Sequence, residues 1–92
     1  MQQDSAELIA LRTLAWLAAQ DEIFPVFLGA SGISAAELQQ RARDGDVLLA
    51  VLDFVTQDDD WVTACAQDTR LDPRDLMRAR HALPGGGEVH WT

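Results

Sequence analysis

The chain has 92 residues, of which 15 are acidic and 7 are basic, and its formal net charge is -8. Because 48% of the residues are hydrophobic, we expect one folded domain with a single core instead of a disordered chain. The negative charge repels phosphate backbones and anionic lipid headgroups, so the composition disfavours nucleic acid and membrane surfaces as partners.

The beginning of the first helix is the first structural signal along the chain. Starts and stops of helices recur at short intervals, and no alternating strand pattern is bounded by hairpin turns, so the sequence predicts an all-α fold of about six helices. The first helix is expected over residues 3–19, with Asp4 or Ser5 as its N-terminal cap.

No apolar run approaches the ~20 residues that span a bilayer, and no basic leader segment is present, so we expect a cytoplasmic protein.

The second helix is expected to be short, over residues 22–29. Asp21 precedes it and can cap its free amide groups. Gly29 or Gly32 can supply the left-handed turn that ends it.

The following three helices are each predicted from a side chain that caps the start. Ser34 and Glu37 have the spacing of a capping box, which favours a third helix ending near residue 42. A fourth helix is expected over 44–56 and a fifth over 58–68.

A sixth helix is expected over residues 72–83, with Asp72 as its cap and Pro73 at the first helical position, where the missing amide hydrogen costs nothing. The Pro-Gly-Gly-Gly run that follows cannot continue a helix. We therefore expect a helical domain over residues 1–83 and a glycine-rich tail over 84–92.

An internal repeat is suggested by the alignment of residues 33–38 with residues 71–76. The same offset places four apolar residues of the first helix on apolar residues of the fourth: Leu11, Leu14, Trp16 and Leu17 fall on Leu49, Leu52, Phe54 and Val55. We expect two related three-helix halves about a pseudo-two-fold axis, with the first and fourth helices at the centre. Generic helical patterning explains the same alignment and stays open as the alternative.

The sixth helix carries the one basic face of this acidic sequence. Arg70, Arg74, Arg78 and His81 fall near one another at 100° per residue, which makes them a candidate binding site for an anion or an acidic partner. In the alternative interpretation, the arginines pair with neighbouring aspartates, and such exposed pairs contribute little to stability.

The tail ends in His90 and Trp91, an imidazole and an aromatic group on a glycine tether. It can return to cover the domain, stay disordered, or bind a partner. Neither His81 nor His90 has a serine or cysteine at a catalytic motif, so the sequence predicts no catalytic residue, no metal site and no cofactor.

Two further features are interpreted as structural. The acidic run at residues 58–60 lacks the spacing of a calcium-binding loop, so its expected role is to cap the fifth helix. Cys65 lies four residues after Trp61 on the same helical face, which favours a small core residue over a nucleophile. As the only cysteine, it cannot form an intramolecular disulfide.

Three segments carry a family resemblance: Ala-Arg-His-Ala-Leu-Pro-Gly-Gly at 79–86, Leu-Ala-Trp-Leu-Ala at 14–18 and Val-Leu-Asp-Phe at 51–54. Together they resemble the bacterial, mainly alphaproteobacterial, domain-of-unknown-function family 3572. The resemblance covers essentially the whole chain. It implies the limits of the fold and assigns no activity, cofactor or site residue.

The sequence leaves two functional hypotheses open. The first is a non-catalytic protein-interaction or adaptor module with an unidentified protein partner. The second is a small-molecule binder or enzyme with a pocket between the two helical halves. Whether the chain is a monomer or a homodimer stays open.

Overall fold

A computed structural model describes residues 1–86 of the chain. Within these residues the helices are α1 Gln3–Ala18, α2 Phe24–Ser31, α3 Ala35–Gln40, α4 Gly45–Val55, α5 Asp59–Thr69 and α6 Pro73–Ala82. This part of the chain contains no strand, and the all-α prediction is confirmed.

Side-chain caps begin α3, α5 and α6, as the sequence predicted. The Ser34 hydroxyl accepts from the amide of Glu37 at 3.1 Å, at the start of α3. Asp58 Oδ1 accepts from the amide of Asp60 at 2.8 Å, at the start of α5. Asp72 caps α6 in the same way. Because a cap acts within one turn of helix, its position can be read from the sequence.

At α4 the expected cap is wrong, because Asp44 precedes the helix but its side chain binds no helix amide and accepts from Arg41 at 2.9 Å instead.

The predicted caps of α1 are wrong. The helix begins after Gln2, whose carbonyl accepts from the amide of Ala6 at 3.0 Å. Asp4 and Ser5 therefore lie inside the first turn and cap nothing, although Asp4 still has a favourable position near the positive end of the helix dipole.

The predicted start of α2 is also wrong. Asp21 lies in a turn before the helix, and α2 begins at Phe24, whose amide donates to the carbonyl of Gln20 at 3.0 Å. Pro25 decides this start, because proline is tolerated only in the first turn, where its amide would be unpaired. Gly32 ends the helix with φ 73°, as predicted.

The helix α1 packs against α4, α5 and α6, and α4 also contacts α2 and α6. Ala6 and Ala10 are fully buried at one end of α1, where they permit close approach of the neighbouring helices. They lie in a cluster with Leu48, Leu52, Ala79 and Leu83. A second cluster extends from Leu17 and Leu76 to the aromatic residues.

Aromatic contacts connect α2 and α5 to α4. The ring of Phe54 meets the edge of Phe27 at a centroid distance of 5.3 Å and stacks on Trp61 at 4.9 Å. Such pairs stabilise by about 0.5–1.5 kcal/mol beyond the area they bury. Cys65 is fully buried beneath them in the same cluster, which confirms its predicted place in the core.

Two hydrogen bonds fix α1 against α5. Trp16 Nε1 donates to Asp68 Oδ2 at 2.8 Å, and the Arg12 guanidinium donates to the carbonyl of Thr69 at 2.7 Å. The bond from Trp16 gives the polar end of this buried indole a partner, which a buried N–H requires. The carboxylate of Asp68 thus binds a side chain of α1 and not the arginines of α6.

The two halves of the chain contribute unequally to the packing. α6 lies against α1, α4 and α5, whereas α3, its counterpart in the proposed repeat, makes no contact of similar extent. The pseudo-two-fold relation stays a prediction.

The Pro-Gly-Gly segment after α6 folds back over α4. The amide of Gly86 donates to the carbonyl of Leu83 at 3.0 Å, and Gly85 has φ 88°. A Cβ atom on Gly86 would overlap the carbonyl of Arg80 and lie 3.0 Å from a methyl group of Leu49. Position 86 therefore needs glycine for reasons of space. Residues 87–92, with His90 and Trp91, lie outside the described residues.

We expect Gly86→Ala to lower the free energy of unfolding by about 1–3 kcal/mol, because the added methyl group must displace backbone from a packed surface. Gly29→Ala is the control, since no atom lies within 4 Å of a Cβ there. It should raise stability by up to about 1 kcal/mol through the better helix propensity of alanine. Urea denaturation measures both. Equal stability of the two variants would contradict the close contact at Gly86.

Candidate functional site

The predicted basic face is present on the surface around α6. Arg74, Arg78 and His81 are exposed on the helix. Arg70 is exposed at the end of α5, with a left-handed φ of 59° that is uncommon for a residue with a side chain. Arg74, Arg78 and His81 thus share one exposed face of α6, whereas Arg70 lies beside Arg12 and Trp16 of α1.

Two of the arginines are already paired with aspartates of the same segment. The Arg74 guanidinium donates to both carboxylate oxygens of Asp72, at 3.2 and 3.0 Å. Arg78 lies 3.3 Å from a carboxylate oxygen of Asp75. The hydrogen bond from the Arg74 side chain, followed by that from its backbone amide, lowers the pKa of Asp72 to about 2. The basic face therefore has less free positive charge than its sequence suggests.

A cleft of about 380 Å³ lies between α4, α6 and the turn at 84–86. Its Arg80 donates from Nε to Asp53 Oδ1 at 3.0 Å, a pair that joins α6 to α4. Asp46, at the other end of the cleft, pairs with Arg41 at 2.6 Å. Each charged group that lines this cleft thus has a partner of opposite charge.

An apolar groove of about 360 Å³ lies between α1, α2 and α3. Its lining residues are Leu11, Leu14, Ala15, Ala18, Phe24, Ala35, Leu38, Gln39 and Ala42. All of them except Gln39 are apolar. Hereafter this feature is called the apolar groove.

The groove follows from the small side chains and short helix that form it. Ala15 and Ala18 on α1 and Ala35 on α3 leave space between the two helices where larger side chains would meet. α3 has only six residues, and Leu38, with 6% of its surface exposed, fixes it to the core. Only two residues of α3 follow that anchor, which is too little helix to close the space.

An apolar stripe on α1 extends the groove toward the N-terminus. Leu8, with 63% of its surface exposed, precedes Leu11, Ala15 and Ala18 at intervals of three and four residues, which places all four on one helical face. The sequence predicted α1 at the centre of the fold. The structure leaves this face open, because α4, α5 and α6 cover the other sides.

The charges near this surface are unevenly distributed. Asp4 lies one helical turn before Leu8, and Glu7 lies directly before it. The stripe therefore begins beside two acidic side chains. Arg43 follows Ala42 of the groove, whereas the guanidinium of Arg12 lies on the α5 side of α1, where it donates to the carbonyl of Thr69. Within residues 1–86 no carboxylate lies within salt-bridge distance of either arginine.

Other chemical features of the described residues are structural. Residues 1–86 contain no group of three histidine, cysteine, aspartate or glutamate side chains placed to hold a metal ion. Burial raises the pKa of the Cys65 thiol, and hydrogen bonds with Thr13 and Thr69 only partly offset this effect. A neutral, buried thiol is a poor nucleophile. None of the helices in this part of the chain has the length and apolar character to cross a bilayer.

Comparison with known proteins identifies a family. A family described as "Protein of unknown function (DUF3572)" matches residues 3–86, which include all six helices and the turn at Gly86. This match confirms the resemblance found in the sequence segments. No curated protein and no solved structure matches the chain.

Replacing Arg74 should raise the pKa of Asp72 from about 2 toward its usual value near 3.8, because the guanidinium is the main cause of the shift. The lowered pKa stabilises the fold at and above pH about 4, and this contribution declines as the pH falls toward 2. Carboxyl NMR titration of wild type and Arg74→Ala measures the shift. Arg43→Ala is the control, since Arg43 is not a cause of it. An unchanged pKa in Arg74→Ala would contradict the pairing.

Proposed function

Since the chain belongs to the DUF3572 family, whose description names no activity, we propose from its surface that it is a non-catalytic protein-interaction or adaptor module of the cytoplasm. Its binding surface is the apolar groove, which receives an apolar helical segment of a partner protein. The observation that carries this proposal is an open, almost wholly apolar groove between two helices.

The form of the groove suits a helix as its ligand. Two flanking helices with alanines between them leave a shallow channel, and amphipathic helices bind such channels through apolar side chains spaced three and four residues apart. Each square ångström of apolar surface removed from water stabilises a complex by about 25 cal/mol, before the costs of association.

The polar content of the groove supports binding over catalysis. The amide of Gln39 is the only polar side chain among the lining residues, and an amide neither donates nor accepts a proton in general acid–base catalysis near neutral pH. The small-molecule alternative expected a pocket between the two halves, whereas the cleft between α4 and α6 lies within the second half, and its Asp53 and Arg80 already neutralise each other.

The basic face of α6 is proposed as a secondary contact for acidic side chains of the partner. Arg74, Arg78 and His81 are exposed there, and Arg70 is exposed at the end of α5. Arg74 and Arg78 can exchange their present partners for carboxylates of another chain at little cost, since exposed ion pairs contribute little to folding stability. His90 and Trp91 belong to the same proposal and lie outside the described residues.

Two adjacent alanines of α3 provide a test. Ala35 lines the groove and Ala36 does not, although both are exposed in the same turn. Glutamate at 35 should abolish specific capture of the partner, because a bound apolar helix would bury its carboxylate without a counter-charge. Ala36→Glu should leave capture unchanged. The measurement is quantitative affinity purification from the source cells, with circular dichroism to confirm folding.

Ala18→Glu and Ala19→Glu form a second matched pair at the C-terminal end of α1, since Ala18 lines the groove and Ala19, the residue that follows the helix, does not. If the two variants of each pair capture the partner protein equally well, the partner binds outside the apolar groove. If the wild-type chain captures no protein above a bead control, the role as an interaction module is wrong.

A further inference from the structure

A further pocket, of about 280 Å³, lies where the end of α1 and the turn that follows it meet the first half of α5. Two tryptophans, Trp16 and Trp61, line it together with Gln20, Asp21 and Glu22, and it is called the indole pocket. We propose that the indole pocket binds the guanidinium group of an arginine side chain of a partner protein. The inference rests on the proposed function for the existence of that partner, and it names a site outside the apolar groove.

Two indole rings give the pocket a surface that attracts cations. Trp16 has 7% of its surface exposed, and its Nε1–H already donates to Asp68 at 2.8 Å. Trp61 is half-buried, and one face of its ring stacks on Phe54 at a centroid distance of 4.9 Å. The opposite face of Trp61 is thus the part of this ring that a ligand can cover. Because the face of an aromatic ring carries partial negative charge, the pocket favours a positive group.

Two carboxylates of the pocket have no cation of their own. Asp21 and Glu22 are exposed in the turn between α1 and α2, and within residues 1–86 no basic side chain lies within salt-bridge distance of either. The side-chain N–H of Gln20 donates to the carbonyl of Trp16 at 3.0 Å, which leaves the amide oxygen of Gln20 as a further acceptor. The three side chains therefore offer acceptors to a cation that carries several N–H groups.

The helix ends around the pocket add negative potential. The last turn of α1, which ends at Ala18, contains no basic residue, so the helix itself does not compensate the negative end of its dipole. The positive end of the α5 dipole is equivalent to about half a charge, and the aspartates at 58–60, directly before Trp61, outweigh it. The arginine of α1, Arg12, is bound at Thr69, which is about 12 Å from Trp61 along α5.

Arginine matches this combination of groups better than lysine. A guanidinium is planar, so it can stack on an indole ring while the N–H groups in its plane donate to carboxylates. It is also less strongly hydrated than an ammonium group, so less hydration is lost when it enters the pocket. An anionic ligand meets the opposite conditions, because Asp21 and Glu22 repel it.

The indole pocket and the apolar groove adjoin the same turn of the chain. Ala18 and Phe24 line the groove, and the residues between them include Gln20 and Glu22, which line the pocket. One protein segment can therefore contact both surfaces, with apolar side chains in the groove and an arginine in the pocket. This placement favours a partner protein over a free small molecule as the source of the guanidinium.

NMR titration with a blocked arginine, N-acetyl-arginine amide, tests the pocket. The indole N–H signals of Trp16 and Trp61 should shift progressively as the compound is added. N-acetyl-citrulline amide replaces the guanidinium with a neutral urea group of the same shape, and it should bind at least about tenfold more weakly because the charge is lost. N-acetyl-lysine amide should also bind more weakly than the arginine compound. Equal binding of the arginine and citrulline compounds, or no shift at either indole, would overturn the proposal.

Neutral variants test the role of the two carboxylates. The double variant Asp21→Asn/Glu22→Gln keeps the size of both side chains, and it should bind the blocked arginine at least about tenfold more weakly because it loses charge-assisted hydrogen bonds. Asp4→Asn/Glu7→Gln is the control, since it makes the same two changes at the opposite end of α1. It should keep the wild-type affinity within about twofold, because salt screens charges at that distance. Equal affinities of the two double variants would contradict the site, and circular dichroism checks that both are folded.

Affinity purification with the same double variants separates this proposal from the proposed function. Loss of the captured partner with Asp21→Asn/Glu22→Gln, but not with Asp4→Asn/Glu7→Gln, supports the arginine contact. Capture that depends on Ala35 but is the same with both double variants overturns the arginine contact and leaves the groove as the binding surface. If the chain binds the blocked arginine but captures no protein, the partner is wrong as the source of the guanidinium, and the pocket is a site for a small molecule.

Discussion

Close packing of α1 against α4 and α6 is the constraint on which the rest of the structure depends. Ala6 and Ala10 are fully buried where these helices meet, beside Leu48 and Leu52 of α4. Side chains this small let the helix axes approach, so the leucines of α4 contact α1 along their length. Of the other helices, α5 attaches to α1 through the bond from Trp16 to Asp68, and α2 attaches to α4 through the aromatic contacts of Phe54.

The same central role of α1 leaves a surface open. Three helices cover three of its sides, and the fourth side is bordered only by α2 and the short helix α3. Leucine and alanine on that side form the apolar groove and the stripe that begins at Leu8. A chain with one small core has few helices with which to cover such a face. A partner chain can cover it instead, and this is the physical basis of the proposed function.

Charge has a mainly structural role in this acidic protein. Asp58 and Asp72 cap helices, Asp68 binds an indole, and Asp53 joins α4 to α6 through Arg80. The arginines of α6 are partly neutralised in the same way, by aspartates close to them in sequence. Since exposed ion pairs exchange easily and contribute little, they define a binding partner less sharply than the size and shape of an apolar surface.

The sequence by itself determined several features that act within one helical turn, although not the start of α1. The caps at Ser34, Asp58 and Asp72 were predictable because the capping side chain and the amide it binds are neighbours, and the pairing of Arg74 with an adjacent aspartate was foreseen for the same reason. At α2 the sequence held two signals for the start of the helix, and the start follows the position of Pro25 and not that of Asp21. Only the tertiary structure decided which face of α1 stays uncovered, because that depends on how α4, α5 and α6 arrange around it. Alanine occurs on both buried and exposed helix faces, so Ala15 and Ala18 carried no signal of the groove until their neighbours were in place.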